Sequence, residues 1–331
     1  MKFKKWVIRG VVSVSIVVAL GLVYRAVSFQ QGVKAVELEW SESQPGQIAN
    51  FGSTKSLSIT PLVNWHTRDD SLKGEAGVSY LIKTDHSTIL FDVGFNQKGE
   101  SPSPLEHNMK TLGIDLKSID TIFLSHAHLD HRGGQKWVNK NTFSMGLEQT
   151  DLSDKRIFAP TKTQYPNAEV TIIPEATVID KGIASLGAIS RQLVMGKIEE
   201  QALVINVEGK GLVVIVGCGH QTVPKILQRA EEVFNTSLYG IVGDLHYPVP
   251  DGRLNIAGIN LQHLLASGEG PHSPITIDTM KVEAELLKNT GLKVIALGGH
   301  DTSDQAIEYF SSEFGSGYSH VRVGETINIA E

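Results

Sequence analysis

Thr121–Gly134, TIFLSHAHLDHRGG, is the stretch from which the rest of this chain is read. A short apolar run, Ile122-Phe123-Leu124, ends at Ser125, and His126, His128, Asp130 and His131 follow at once. A single histidine says little. Three of them with an aspartate behind an apolar strand form a donor set of imidazole nitrogen and carboxylate oxygen, which suits zinc and similar first-row ions. If the loop is locally extended, His126 and His128 point to one side and can grip one ion. Asp130 and His131 then reach a second. Gly133 and Gly134, lacking Cβ, let the backbone pass close to the site. The bland alternative, a histidine-rich surface loop, does not account for the matching partners elsewhere.

Those partners recur by one device. An apolar strand of four to six residues ends in a small residue and then a metal-type donor, at Ser125/His126, Gly219/His220, Gly243/Asp244 and Gly299/His300. Four such strands suggest one sheet edge building one site, as in open α/β sheets. Strands alternate with helical patterns at 104–112, 223–234, 277–288 and 303–314, which predicts an α/β protein with sheets covered by helices. Gly77–Lys83 and Ser87–Asp92 read as a hairpin turning at Asp85-His86, and His320–Ile329 as a closing hairpin. Residues 247–275 read as a long loop with a short helix. Asp92 is a candidate brace that accepts backbone N–H groups of the metal loop; a plain turn aspartate is an equal reading.

The chain has 331 residues, 41% hydrophobic and 20% charged, with a net charge of -6. This mildly acidic balance disfavours a nucleic-acid surface. Lys2, Lys4, Lys5 and Arg9 precede the uncharged run Gly10–Tyr24. That pattern predicts either a signal peptide over 1–28, cut after Ala26-Val27-Ser28, or a retained membrane anchor counted from Trp6. The bulk of the chain is then extracytoplasmic, periplasmic or at the cell surface. Residues 29–56 read as a linker and 57–331 as the globular domain. Cys218 is the only cysteine, so no internal disulfide forms. It is expected as a small packed residue, although it could face the site.

His126-Ala127-His128-Leu129-Asp130-His131 matches the signature H-x-H-x-D-H in full, and the chain resembles the metallo-β-lactamase superfamily from about residue 57 to 329. Within it, four features resemble the branch of dihydropterin ribofuranosyl-aminobenzene phosphate synthases. They are the Phe91-Asp92-Val93-Gly94 strand end, Asn108 to Asp115, the Glu-Gln-Ala-Leu strand at 200–203 and the Gly-Cys-x-His turn at 217–220. The resemblance implies an αββα four-layer sandwich and two divalent metals, zinc by preference. It implies that His126, His128 and His220 hold the first metal, and that Asp130, His131 and His300 hold the second. Asp244 would bridge them. Where the branch often carries Gly-Gly-x-His, this chain has Gly243-Asp244-Leu245-His246, so His246 would stand behind the ligands or face the substrate.

The implied chemistry is hydrolysis of a small ester, lactone, amide or phosphoester. Water between two ions is acidified to hydroxide that attacks a carbonyl or phosphoryl centre, with Asp130 orienting it or taking its proton. Backbone N–H groups of Gly133 and Gly134 would favour an anionic substrate group. Trp65, Tyr247 and His263 are candidate substrate contacts. His66, His86, His107, His272 and His320 fit no pattern. The competing readings are a β-lactamase proper and a non-catalytic metal-binding or sensing protein. A nuclease of the same fold is disfavoured by the charge and the export signal.

Overall fold

The protein is described from a computed structural model over residues 2–266 and 273–330. His272 therefore lies outside the described residues. The chain opens with helix α1 (Lys2–Glu42). Six strands follow: β1 (Leu57–Val63), β2 (Ser79–Thr84), β3 (Thr88–Phe91), β4 (Thr121–Phe123), β5 (Arg156–Ala159) and β6 (Val170–Ile172). Among them lie helices α2 (Pro104–Thr111) and α3 (Gln135–Val138). Then come β7 (Thr177–Asp180), β8 (Ile183–Leu193), β9 (Gly196–Val207), β10 (Gly211–Val216), helix α4 (Val223–Val233) and β11 (Leu238–Gly243). A small hairpin, β12 (Asn255–Ile256) and β13 (Ile259–Asn260), leads into α5 (Leu261–Ala266). The chain closes with α6 (Ile277–Asn289), β14 (Val294–Leu297), α7 (Asp304–Phe314), β15 (Tyr318–His320) and β16 (Ile327–Ala330).

Two seven-stranded sheets result, in the orders β16-β1-β2-β3-β4-β5-β6 and β15-β14-β11-β10-β9-β8-β7. Three apolar clusters fill the layers. One lies between the sheets, around Tyr80, Phe91, Leu203 and Ile215. A second packs α2 against the first sheet through Leu105, Met109 and Leu124. A third packs α4, α6 and α7 against the second sheet. The arrangement is the expected αββα sandwich. β10 is buried from Leu212 to Val216 because it is covered on both faces, so its sequence runs apolar without alternation. Ser103 caps α2 in a reciprocal box with Glu106, and Pro104 supplies the preset first turn.

The expected closing hairpin is not one. β15 adds parallel to β14, whereas β16 pairs antiparallel with β1 in the other sheet. The ligand-bearing strands likewise do not share a sheet: β4 belongs to the first, and β10, β11 and β14 to the second. Their carboxyl ends meet at a common edge of the sandwich.

The residues read as a linker, 29–56, remain helical to Glu42, and this part of α1 is docked on the domain. Val36 is buried, Glu39 accepts from Ser190 Oγ at 2.7 Å and from Lys197 Nζ at 2.9 Å, and Glu37 accepts from Lys225 Nζ at 2.8 Å. The Arg229 guanidinium lies 4.8 Å from the centre of the Trp40 ring. Ile48 and Thr54 then make parallel bridges to Phe234 and Val207. Earlier in α1, Ser15–Glu42 contains a window long and apolar enough to cross a membrane, none of it buried.

Candidate metal centre

Asp92 organises the loop after β4. It sits in the left-handed region at φ 54°. Its Oδ1 accepts the Ser125 N–H at 2.7 Å, and its Oδ2 accepts the Ser125 hydroxyl and lies against His131 Nδ1, each at 2.6 Å. These bonds fix His131 with Nε2 pointing inward. Arg132, buried and lowered to about 10 by that burial against the pull of Asp92, donates from Nε to the His126 carbonyl at 2.9 Å. Gly133 is obligatory: at φ 81° a Cβ would stand 2.0 Å from the Ser144 carbonyl oxygen. The N–H groups of Gly133 and Gly134 are spent on the carbonyls of Gly94 and Leu129, at 2.8 and 2.7 Å, so they do not form the anion cradle expected of them.

Two donor groups sit side by side. His126 Nε2 and His220 Nε2 approach His128 Nδ1 at 3.1 and 3.2 Å. Asp130, His131, Cys218 and His300 bring one donor atom each within 4.8 Å of one another. The rings of His126 and His131, one from each group, are 4.0 Å apart. Asp130 Oδ2 lies 3.2 Å from His300 Nε2, while Asp130 Oδ1 has no hydrogen-bond partner. A third group, Cys218, His220 and Asp301, overlaps both.

Asp244, expected to bridge, falls into none of these groups. It is fully buried, its Oδ2 accepts from Asn64 Nδ2 at 3.1 Å, and its Oδ1 accepts the Asp301 N–H at 3.3 Å. It sits behind the site and fixes the turn that carries His300 and Asp301. His246 is behind the site too, with Nδ1 3.2 Å from Asp301 Oδ2 and its ring 4.6 Å from that of His220. Cys218 is buried as expected, but its Sγ points at the site, 2.9 Å from His131 Nε2. Burial pushes the thiol well up, reinforced by Asp301, Asp130 and Glu200.

Several contributors were not among the expected site residues, although two of them lie in the Glu-Gln-Ala-Leu stretch that carries the resemblance. Glu200 is wholly buried on β9, and its carboxylate accepts the N–H groups of Cys218, Gly219 and His220 at 2.9, 3.0 and 2.8 Å. Burial raises it to about 7 against those three bonds. Next to it, Gln201 ties β9 to the metal loop by donating from Nε2 to the Leu124 carbonyl at 2.9 Å. Asn64 spans Asp244 and the Gly299 N–H. Asp301 follows His300 directly and so had a local signal of its own, whereas Asn64 had none.

Metal ions fit these residues. Nδ1 of His300 and Nδ1 of His220 are buried without hydrogen-bond partners, as is Asp130 Oδ1. Asp92, Glu200, Asp244 and Asp301 are buried around them. Burial opposes charge on His300, yet Asp301 and Asp130 outweigh it and push its pKa up to about 10. His131 and His300 overcome burial to hold Asp130 down to about 2. A pocket with this excess of carboxylates, drawing a proton onto an imidazole, is one that favours cations.

The centre forms the floor of a cleft of about 330 Å³ lined by His128, Asp130, His220, His300 and Asp301. Of the expected substrate contacts, Trp65 lines it. Tyr247 instead is buried and donates to Glu283 at 2.6 Å, and His263 bonds the Ile275 carbonyl. His66 and His320 pair at 3.1 Å beside Asp304.

The family model of the metallo-β-lactamase superfamily matches residues 72–300, from before the first donor to the last. The chain belongs to the metallo-β-lactamase superfamily. Among relatives it is 22% identical over 325 residues, 85% of its length, to 99% of a 7,8-dihydropterin-6-methyl-4-(β-D-ribofuranosyl)-aminobenzene-5'-phosphate synthase of Methanocaldococcus jannaschii. Over 96 residues, 29% of the chain, it is 34% identical to 21% of a probable RNase of the same organism. Its fold is similar to the crystal structure of a metal-dependent hydrolase of the β-lactamase superfamily, with a TM-score of 0.56 and 21% identity over 83% of this chain and all of that one. The metallo-β-lactamase superfamily is one of metal-dependent hydrolases, and this chain is an enzyme of that kind.

Proposed function

We propose that this chain is a membrane-anchored, dinuclear-metal hydrolase acting on a carbonyl or phosphoryl centre of a small substrate. The observation that carries this reading is the pair of adjacent donor groups at the floor of one cleft. His126, His128 and His220 would hold one ion. Asp130, His131 and His300, with Cys218 in place of a bridging carboxylate, would hold the other. Bound there, divalent ions, zinc by preference, supply Lewis acidity and a water acidified toward neutral pH.

The chain's own groups do the rest. Asp130, with one oxygen on His300 and the other free, orients the incoming water and takes its proton. Asp92 and Glu200 hold the ligand loops, so little reorganisation accompanies the reaction. Trp65, packed against Arg253, walls the cleft on one side. Anchoring is supported by α1: Trp6 to Tyr24 rises about 27 Å at ~1.5 Å per residue, near the ~30 Å hydrocarbon thickness. The basic start would stay on the cytoplasmic side, with the domain outside.

Elemental analysis of the purified full chain, with a panel of chromogenic lactone, thioester, cephalosporin and phosphodiester substrates, tests the reading. Two metals per chain with turnover on one class is the expected result. Two metals and turnover on none would favour a sensing role, and no metal after reconstitution would overturn the site.

A further inference from the structure

The tip of the long β8–β9 hairpin joins two features of the protein that are otherwise unrelated. Leu193 pairs with Gly196 across a two-residue turn, Val194-Met195. Leu193 and Met195 line the cleft above the metal centre. Val194, between them, lines a groove with Leu22 and Phe29 of α1. Leu22 belongs to the apolar run that would lie in a bilayer. Gly32 of α1 packs directly against the Gln192 side chain. From Gly32 to Tyr24 the helix rises only about 12 Å, against the ~5–8 Å of one headgroup layer. The Gly32 contact thus stands just outside the headgroup layer, and the hairpin tip, where Val194 shares a groove with Leu22, reaches down to that layer whenever α1 spans a membrane.

The mouth is apolar as well as close. Met195 is 67% exposed and Ile256, on the β12–β13 hairpin, is 57% exposed. Leu254, which lines the cleft with Met195, is also exposed, as is Ile259, the partner of Ile256 in its hairpin. Behind this rim the cleft wall continues through Leu254, Leu261 and Leu265 down to the donors. Isolated exposed apolar residues are ordinary, but Met195 and Leu254, exposed at the edge of one cleft whose wall is apolar, mark a binding surface. The hairpin is fixed rather than loose: Arg253 donates to the carbonyls of Gly299 and Thr302 at 2.6 and 2.7 Å, and Gln262 bonds Asp301. Arg25, one residue past the apolar run, lines the groove at this level, where a cation favours anionic headgroups.

We infer that the cleft draws its substrate from the bilayer: an amphiphile whose acyl or alkyl chain lies along Met195, Leu254, Leu261 and Leu265, with its polar head at the metal centre. This rests on the anchored-hydrolase reading and narrows its substrate to a membrane lipid. A second protein is the other candidate for an apolar rim. The shared hairpin tip favours lipid, because the rim is continuous with the face of α1 that a bilayer would cover.

The test uses the full chain reconstituted in dioleoylphosphatidylcholine vesicles doped with a phosphatidylcholine bearing a diazirine at its acyl terminus. Photolysis is followed by peptide mass spectrometry. Adducts are expected on α1 and on 193–195 and 254–265, and not on the exposed turn at Glu208-Gly209. Leu261→Asp with Leu265→Asp should reduce the cleft adducts at least fivefold while leaving those on α1. The exposed Met195→Asp provides the same reading should the double variant not fold. Adducts on α1 alone, or equal labelling of Glu208-Gly209, overturn the inference and leave anchoring standing. No adducts on α1 overturn anchoring, and the inference with it.

Discussion

Replacing Glu200 by glutamine changes one buried oxygen into an amide nitrogen and should loosen the metal centre from behind. In the native protein Oε1 accepts from Cys218 and Gly219, and Oε2 from His220. Glutamine keeps a single acceptor. If that oxygen stays on the Cys218 side, the His220 N–H faces an NH2 group and is left unsatisfied, which costs about 1–3 kcal/mol, with a further loss because the remaining bonds no longer end on a charge. Glutamine also removes the penalty that pushes the carboxyl up to about 7, offsetting part of this. A net destabilisation of about 1–3 kcal/mol follows. The turn at 217–220 then shifts, and with it His220 Nε2 and Cys218 Sγ. Loss of such a supporting bond lowers metal affinity by roughly 10–100-fold. Denaturant unfolding in excess chelator gives the first quantity, and competition against a fluorescent zinc chelator gives the second. Zinc affinity within twofold of the parent, whatever the stability, would refute the claim that Glu200 positions His220.

His128→Ala should lose most bound metal and all hydrolysis, while unfolding in chelator stays within about 1 kcal/mol of the parent, since His128 faces the cleft rather than the core. The cobalt(II)-loaded protein should show a sulfur-to-metal charge-transfer absorption that Cys218→Ser abolishes; its absence from the parent would return the thiol to a packing role. Burial, with His66 and Arg322 beside it, holds His320 down to about 4. The unfolded chain binds this proton below about pH 6.5 and the folded chain only near 4, so stability falls as pH drops across that window. Allowing for partial exposure, the loss is about 1–2 kcal/mol. Unfolding in chelator at pH 7 and 4.5 should show it as a contribution to the total change, and His320→Asn should reduce that change by about 1–2 kcal/mol.

The strands and the donors they end in were legible because each is local: an apolar run, a small residue, a histidine. His126, His128 and His220 come together, as do Asp130, His131 and His300. What the pattern could not reveal is which carboxylates stand in front. Asp244 follows its strand by the same rule as the candidate donors, yet it lies outside their groups, with one oxygen bonded by Asn64 from the opposite sheet. Glu200 lies in mid-strand, where nothing in the local pattern separates a buried acid serving three N–H groups from an edge residue facing water. Assigning β15 and β16 to different sheets depended on long-range pairing that no short window contains. The docked part of α1 is polar enough to pass for a linker, and its contacts with Ser190, Lys197 and Lys225, with the burial of Val36, explain why it stays helical.

The donors span residues 126 to 300 and come from both sheets, so no early fragment of the chain can assemble a complete centre. A polypeptide emerging on the far side of a membrane would expose the HAHLDH loop long before β14 arrives with His300. Until then it offers at most the trio His126, His128 and His220, and the group that includes His300 stays incomplete. Ion capture is thereby tied to completion of the sandwich, and its free energy adds to the stability of the finished molecule. Incomplete chains would compete poorly for scarce metal, and loading becomes a report that folding has ended.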